Sequence, residues 1–333
     1  MPSQSALTPS VSRRDFLSLA ALAGAAVPFL GSIARAQTST GATLPPAPRG
    51  PTTLHVMSKP MHRLSYADTA KLIAETGYGG IDYTVRVPQG HVLPERVKED
   101  LPRAIDAAHS AGLKVEMITT EITSAREPHA ETLLRTAAKL GVKCYRLGYW
   151  DYDAKLGVAG TFEKMKPGLL ELAALNASVG IHGAIQNHSG VRVGSSVWDL
   201  YELLRDIDPN VLGIQYDIRH ATAEGGQSWP VALKLLYPWI RCTDIKDFKW
   251  QQSPGRAVVE DVPMGEGIVP LDAYFKLYRE LNMSGPMSVH FEYSPFEKPP
   301  QPLTPDQQRA QFPGPMKRDF GILHAIMAKH QVA

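Results

Sequence analysis

The chain has 333 residues, of which 44% are hydrophobic and 20% are charged. These fractions are typical of a globular protein, and they exclude an intrinsically disordered or a disulfide-dense chain. The formal net charge is only +2 and comes from the first 36 residues, so the rest of the chain carries no net charge. Because nucleic-acid binders usually carry a basic excess, we expect no nucleic-acid partner.

The first 36 residues have the order of an export signal. Arg13 and Arg14 precede an apolar run over 17–30, and a small-x-small cleavage motif ends at Ala36. The paired arginines resemble a twin-arginine signal, which predicts the twin-arginine export machinery as a partner and a periplasmic or otherwise exported protein. Because the apolar run is shorter than the roughly 20 residues that cross a bilayer, we expect cleavage and no stable membrane span. An ordinary secretory signal or a membrane anchor is the alternative.

Residues 37–51 are polar and proline-rich, which predicts a flexible linker. Residues 52–333 are predicted to form a single domain with a C-terminal tail, because short apolar runs alternate there with stretches of helical spacing about eight times. The predicted strands lie at 53–57, 80–84, 113–118, 143–148, 181–187, 211–217, 240–246 and 286–292. The predicted helices lie at 66–76, 95–111, 129–140, 161–179, 196–206, 228–237 and 270–281.

This alternation predicts an α/β fold of the (β/α)8 TIM barrel type, whose usual size is about 250 residues. A doubly wound open sheet is the alternative. That fold usually carries a glycine-rich phosphate loop after its first strand, and residues 57–62 contain no glycine. In a barrel, the active site lies at the C-terminal ends of the strands.

Four successive predicted strands end in polar side chains. Because residues i and i+2 of a strand share a face, these side chains form same-face pairs. The pairs are Gln186 with His188, Gln215 with Asp217, Asp244 with Lys246, and His290 with Glu292. Oxygen ligands together with imidazole suit a divalent cation, and Mn²⁺, Mg²⁺, Co²⁺ and Zn²⁺ are all candidates. A structural role is the alternative, since Asp217 is also placed to cap the next helix.

The same strand ends resemble those of the sugar phosphate isomerase/epimerase family, also called the xylose isomerase-like barrels, and the resemblance spans about 52–295. Tyr216–Ala221 resembles the family's Asp-x-x-His motif, in which the aspartate binds metal and the histidine contacts substrate. Asp244–Asp247 resembles its His-x-Lys-Asp motif, and Gly265–Val269 resembles the Gly-x-Gly loop that follows. The resemblance implies a metal-dependent enzyme acting on a small carbohydrate.

The resemblance also implies four metal ligands, which in the family are Glu, Asp, His and Glu. This chain has Gln186, Asp217, Asp244 and His290 at the matching positions. Both family glutamates, which act there as the acid–base pair, are replaced. We therefore predict a ligand set of one amide, two carboxylates and one imidazole. A one-step shift in register would place Glu292 in the set instead of His290.

The replaced glutamates leave the proton transfer to other residues. An imidazole can accept a proton near neutral pH, so we predict His290 as the main acid–base group. Supporting roles are predicted for His188, His220, Lys246 and Glu292. Arg86, His91 and several aromatic residues, among them Tyr149, are further candidates for substrate contact, with ordinary packing or an exposed loop position as the alternative.

Three functions are consistent with these residues. The first is a metal-dependent isomerase or epimerase that abstracts a proton next to a carbonyl of a non-phosphorylated sugar. The second is a lyase or hydrolase acting on 3-keto-glycosides, which needs one base and an acid for the leaving oxygen. The third is a sugar-binding protein whose catalytic set has decayed. A phosphorylated substrate is disfavoured because the sequence lacks a glycine-rich phosphate cradle.

Overall fold

The computed structural model describes residues 52–297, 299 and 301–332. The predicted export signal and linker lie outside the described residues. The strands of the described part are β1 (Thr53–Met57), β2 (Gly80–Thr84), β3 (Met117–Thr119), β4 (Cys144–Arg146), β5 (His182–Gln186), β6 (Leu212–Asp217), β7 (Ile240–Ile245), β8 (Asp247–Ser253), β9 (Arg256–Val262) and β10 (Pro286–Val289). Eight of these strands close into a parallel barrel in the order β1-β10-β7-β6-β5-β4-β3-β2. The predicted barrel is confirmed.

Helices separate most of the barrel strands and cover the outside. They are α1 (Tyr66–Glu75), α2 (Val97–Ser110), α3 (Ala130–Lys139), α4 (Gly157–Val179), α5 (Val197–Leu204), α6 (Ile218–Gly225), α7 (Trp229–Leu236), α8 (Leu271–Glu280), α9 (Pro305–Gln311) and α10 (Pro313–Lys329). All seven predicted helices are present, with ends that differ by at most four residues. Among the described helices, none has both the length and the apolar character needed to cross a membrane.

The strands are apolar because the barrel buries both of their faces. Every residue of β2, β5 and β6 is buried. Inside the barrel, a small cluster of Met117, Cys144, Ala184 and Cys242 fills the space below the polar strand ends. The polar side chains therefore lie above a packed floor, at the end of the barrel where an active site is expected.

Besides the short helix α6, which was not predicted, two larger parts of the chain differ from the prediction. β8 and β9 form an antiparallel hairpin that projects from the end of β7, and most of its residues are exposed or half-buried. The predicted C-terminal tail instead contains α9 and α10. The first of these helices begins with a capping box between Thr304 and Gln307. The second buries Met316 and Leu323, and its Phe320 packs edge-on against Tyr78, so the tail is part of the barrel's outer layer.

Candidate active site

Asp217, Asp244 and His290 meet at the C-terminal end of the barrel. Asp217 ends β6 and lies opposite Asp244 of β7 in the strand register. Asp244 in turn lies opposite Ser288 of β10, two residues before His290. One ligand atom from each of the three side chains lies within 4.8 Å of the other two. The structure therefore brings together three of the four predicted metal ligands in a buried cluster.

The donor set of this cluster fits a divalent cation. Two carboxylates and one imidazole are ligands that Mn²⁺, Co²⁺ and Zn²⁺ accept, and the carboxylates also suit Mg²⁺. The two ring nitrogens of His290 are buried and make no well-aligned hydrogen bond to any described residue. Its Nε2 atom lies 3.2 Å from Oδ1 of Asp244. In its neutral form, His290 can offer one of these nitrogens as a ligand.

Gln186, the fourth predicted ligand, holds the two carboxylates through its amide nitrogen. Nε2 donates to Oδ2 of Asp217 at 3.0 Å and to Oδ2 of Asp244 at 2.6 Å. Its oxygen accepts hydrogen bonds from Arg146, at 3.0 Å, and from the hydroxyl of Tyr149. Because a guanidinium only donates and a carboxylate only accepts, these partners fix the orientation of the amide. To bind a cation, the Gln186 oxygen would have to leave Arg146.

Lys246 and Glu292 form an ion pair beside the cluster. Nζ of Lys246 lies 2.8 Å from Glu292 and 3.5 Å from Asp217, and the lysine side chain is only 3% exposed. Burial lowers the pKa of Lys246, but the two carboxylates outweigh burial and raise it above its ordinary value. Burial likewise lowers the pKa of His290, while Asp244 and Glu292 raise it to about 9. Both cations are therefore held by carboxylates at neutral pH.

His188 presents an unprotonated ring nitrogen. Its Nδ1 atom lies 2.8 Å from the carbonyl oxygen of Ser189. Since a carbonyl only accepts, Nδ1 carries the hydrogen and Nε2 carries the lone pair. Burial is the main cause that lowers the pKa of His188 to about 4, so the ring is neutral at pH 7. The ring of His220 stacks on it, with 4.0 Å between the ring centroids.

His220 has the opposite tautomer. Its Nδ1 accepts from the backbone N–H of Ser189 at 3.1 Å and from Arg219 at 2.9 Å. The hydrogen of the neutral ring is therefore on Nε2, which lies 3.5 Å from Oδ2 of Asp217. Arg219 is held by Asp261 of the β8–β9 hairpin, with 3.0 Å between Nε and Oδ1. The hairpin thus orients a site histidine through one arginine.

Several of these side chains line a cavity of about 120 Å³ at the end of the barrel, whereas Asp217, Asp244 and His220 are not part of its lining. Its lining includes Gln186, His188, Lys246, His290 and Glu292, so the strand-end prediction located one shared cavity. His290 and Glu292, the two residues between which the strand register left a choice, both line this cavity. Of the two, His290 contacts Asp244. A larger cleft of about 360 Å³ adjoins this cavity and shares Lys59, but none of the predicted site residues lines it.

Arg146 and Asp82 were not among the predicted site residues. Both are buried charged residues within barrel strands, Arg146 at the end of β4 and Asp82 in β2. A charged residue within an apolar run was the available signal in each case. The Oδ2 atom of Asp82 accepts from Thr119 and Ser288 at 2.9 and 2.8 Å, and burial is the main cause that raises the pKa of this carboxyl to about 6.

The two loop candidates after β2 differ in position. Arg86 lines the cavity. His91 is buried between Tyr66 and Tyr83, and its Nε2 lies 3.0 Å from the carbonyl oxygen of Leu64. His91 therefore packs against the barrel wall and does not face the site.

Residues 70–311 match the family model described as "Xylose isomerase-like TIM barrel". The chain belongs to this family. Among solved structures of xylose isomerase-like barrels and related proteins, the IOLI protein with a bound zinc atom superposes with a TM-score of 0.64 at 18% identity, covering 84% of this chain and 99% of that one. The 3-keto-D-glucoside 4-epimerase of E. coli gives 0.61 at 14% identity, covering 82% and 99%. D-psicose 3-epimerase of Clostridium cellulolyticum gives 0.60 at 11%, covering 83% and 99%.

A search of curated protein sequences gives no match. At these low identities, the structural similarity shows that the chain shares the fold of its xylose isomerase-like neighbours. The neighbours include sugar epimerases and a probable dehydratase.

Proposed function

We propose that this protein is an exported, metal-dependent enzyme that removes a proton next to the carbonyl group of a non-phosphorylated sugar, as an isomerase or epimerase does. The observation that carries the proposal is the cluster of Asp217, Asp244 and His290, because His290 also lines the cavity into which His188 faces. A ligand cluster next to a cavity that holds a neutral base supplies the two components that this chemistry requires.

Asp217, Asp244 and His290 are the residues that would hold a divalent cation. When bound, such a cation polarises a carbonyl and stabilises the negative charge that develops on its oxygen, an effect typically worth several kcal/mol. Gln186 keeps the two carboxylates in place by donating to both of them. Nε2 of His220 lies 3.5 Å from Oδ2 of Asp217.

His188 is the best-placed base. Its hydrogen is committed to the Ser189 carbonyl, so Nε2 is free to accept a proton from the substrate. A positioned base of this kind contributes about 10²–10⁴-fold to a rate. His290, which the sequence favoured as the acid–base group, instead faces Asp244 and Glu292, so its nitrogens are directed at carboxylates. Lys246 lines the same cavity and carries a proton that it can return to the substrate.

A second candidate function is elimination from a 3-keto-glycoside. It is favoured by Gln186, because an amide nitrogen that donates to two carboxylates cannot accept a proton. One of the two acid–base positions expected from the family resemblance is therefore missing. Elimination needs only the base His188 and an acid for the leaving oxygen, and the Tyr149 hydroxyl and Lys246 both line the cavity.

Proton exchange in D₂O tests both functions. The mature protein is incubated with each of Mn²⁺, Mg²⁺, Co²⁺ and Zn²⁺ and with free ketoses or 3-keto-glucosides, and the products are followed by NMR. An isomerase or epimerase gives a sugar with deuterium beside the carbonyl, whereas a lyase releases the aglycone. We expect His188→Gln to lower either rate at least 100-fold, with His62→Gln outside this cavity as the matched control. Sugar binding without exchange under every condition would contradict both functions and indicate a sugar-binding protein.

A further inference from the structure

One part of the cavity wall is positively charged. It contains Arg146 at the end of β4 and Arg86, two residues beyond β2. Both guanidiniums bind the same carboxylate, with Arg86 Nη1 and Arg146 Nη2 lying 2.6 and 3.1 Å from Oε1 of Glu121. No second carboxylate of the described chain pairs with either arginine, so this wall has an excess of one positive charge.

Both arginines also retain an unused donor. The Nε atoms of Arg86 and Arg146 are buried and have no hydrogen-bond partner among the described residues. The Arg146 side chain is only 4% exposed. A buried donor without a partner is unfavourable, and an acceptor on a bound ligand removes that cost. The two side chains that carry these unused donors both line the cavity.

The two arginines differ in what they have left to offer. Arg146 donates through Nη1 to Gln186 and Tyr149 and through Nη2 to Thr120 and Glu121, which leaves Nε alone. Arg86 donates through Nη1 to Glu121. Its Nε is therefore one of several donors that stay unused on this half-buried side chain. Arg86 is the main free donor, and Arg146 fixes the shape of the wall.

We infer that the cavity takes a carbohydrate that carries a carboxylate group, such as an aldonate or a uronate. Its carboxylate lies against Arg86 and Arg146, and its hydroxyl or carbonyl oxygens lie toward Asp217, Asp244 and His290. A guanidinium matches a carboxylate in geometry and charge, and the single excess charge of this wall matches a monoanion. The orientation rests on the proposed function, whereas the carboxylate preference rests on the arginines alone.

Titration calorimetry with D-gluconate and D-glucitol tests this inference, because the two probes differ only in a carboxylate that replaces a CH₂OH group. We expect gluconate to bind at least tenfold more tightly, as a charge-assisted hydrogen bond provides. Arg86→Gln should abolish the preference, and Arg86→Lys should retain part of it. Arg63→Gln, which removes an exposed arginine near the same end of the barrel, should leave the preference unchanged.

Equal affinity for the two probes in the wild-type protein would overturn the inference. An equal loss of preference in Arg63→Gln and Arg86→Gln would also overturn it, because that result indicates a general charge effect. Tighter binding of D-glucose 6-phosphate than of gluconate would indicate a phosphate site instead. His188→Gln separates this inference from the proposed function. If gluconate is still bound more tightly than glucitol but neither the wild type nor any variant exchanges protons, the carboxylate site is supported and the proposed function fails.

Discussion

The amide nitrogen of Gln186 lies 2.6 Å from a carboxylate oxygen of Asp244, and the oxygen of the same amide accepts from Arg146. Gln186 therefore connects the buried carboxylates to the arginine side of the cavity. It occupies the position at which the family resemblance leads one to expect a glutamate. Replacing it with glutamate would put a third carboxylate within hydrogen-bond distance of two others.

Gln186→Glu is expected to make the protein's stability depend on a divalent cation. In a chelator, the new carboxylate repels Asp217 and Asp244 and loses the donated hydrogen bonds, which should lower the free energy of unfolding by about 2–3 kcal/mol. Mn²⁺ should restore most of the loss. Thermal unfolding with and without the ion measures both effects. Gln227→Glu, on the surface, is the control, and an equal response of the two variants would contradict the prediction.

Metal content gives the most direct test of the ligand cluster. We expect about one Mn, Mg, Co or Zn ion per chain by plasma mass spectrometry, and loss of that ion in Asp244→Asn. Asp217→Asn is a less clean variant, because Asp217 also caps α6 by accepting from the His220 backbone N–H at 3.2 Å. Asp306→Asn, at an exposed position, should keep the ion. A wild-type protein that binds none of the four ions would exclude the proposed cluster.

His91 is expected to make the protein less stable in acid. Burial is the main cause that lowers its pKa to about 4, against about 6.5 for an exposed histidine. Above pH 6.5, the ring is neutral in both the folded and the unfolded states. As the pH falls from 6.5 to 4, the unfolded state binds the proton first, so about 3 kcal/mol of stability is lost.

His91→Gln should remove this pH dependence while keeping a donor for the Leu64 carbonyl. The variant should be less stable than the wild type at pH 7.5, and the difference should shrink by about 3 kcal/mol by pH 4. Denaturant unfolding at a series of pH values measures it. His109→Gln, which changes an exposed histidine, is the control. A difference that stays constant with pH would show that His91 is not neutral when buried.

The twin-arginine signal is a proposal from the sequence alone and can be tested in a host with that pathway. Replacing Arg13 and Arg14 together with lysine should retain the protein inside the cell and leave it unprocessed. The wild-type protein should be found outside the cytoplasm, with Gln37 as its first residue. N-terminal sequencing of each fraction checks this. Export of the double-lysine variant at the wild-type level would favour an ordinary secretory signal.

The fold and the position of the site were readable from the sequence for a simple reason. Barrel strands are buried on both faces and appear as short apolar runs, and polar residues that end such runs stand out. The hairpin of β8 and β9 was not predicted, because residues 247–262 are largely exposed and contain no long apolar run. α10 was missed although Met316, Phe320, Leu323 and Met327 have helical spacing.

The roles of individual site residues were less accessible. The orientation of the Gln186 amide depends on Arg146, forty residues earlier in the chain. The tautomer of His188 depends on a backbone carbonyl, which has no sequence signature. The sequence therefore predicted which side chains meet, but it could not predict the tautomers and hydrogen bonds that distinguish them.

The β8–β9 hairpin connects the surface of the protein to a histidine of the candidate site. Asp261 at its base holds Arg219, and Arg219 donates to Nδ1 of His220. Exchanging the hairpin between related barrels would therefore also replace the residue that holds Arg219, and with it the support for the hydrogen bond to His220. Engineering the specificity of this protein by loop grafting should therefore treat Asp261 and Arg219 as a single exchangeable unit.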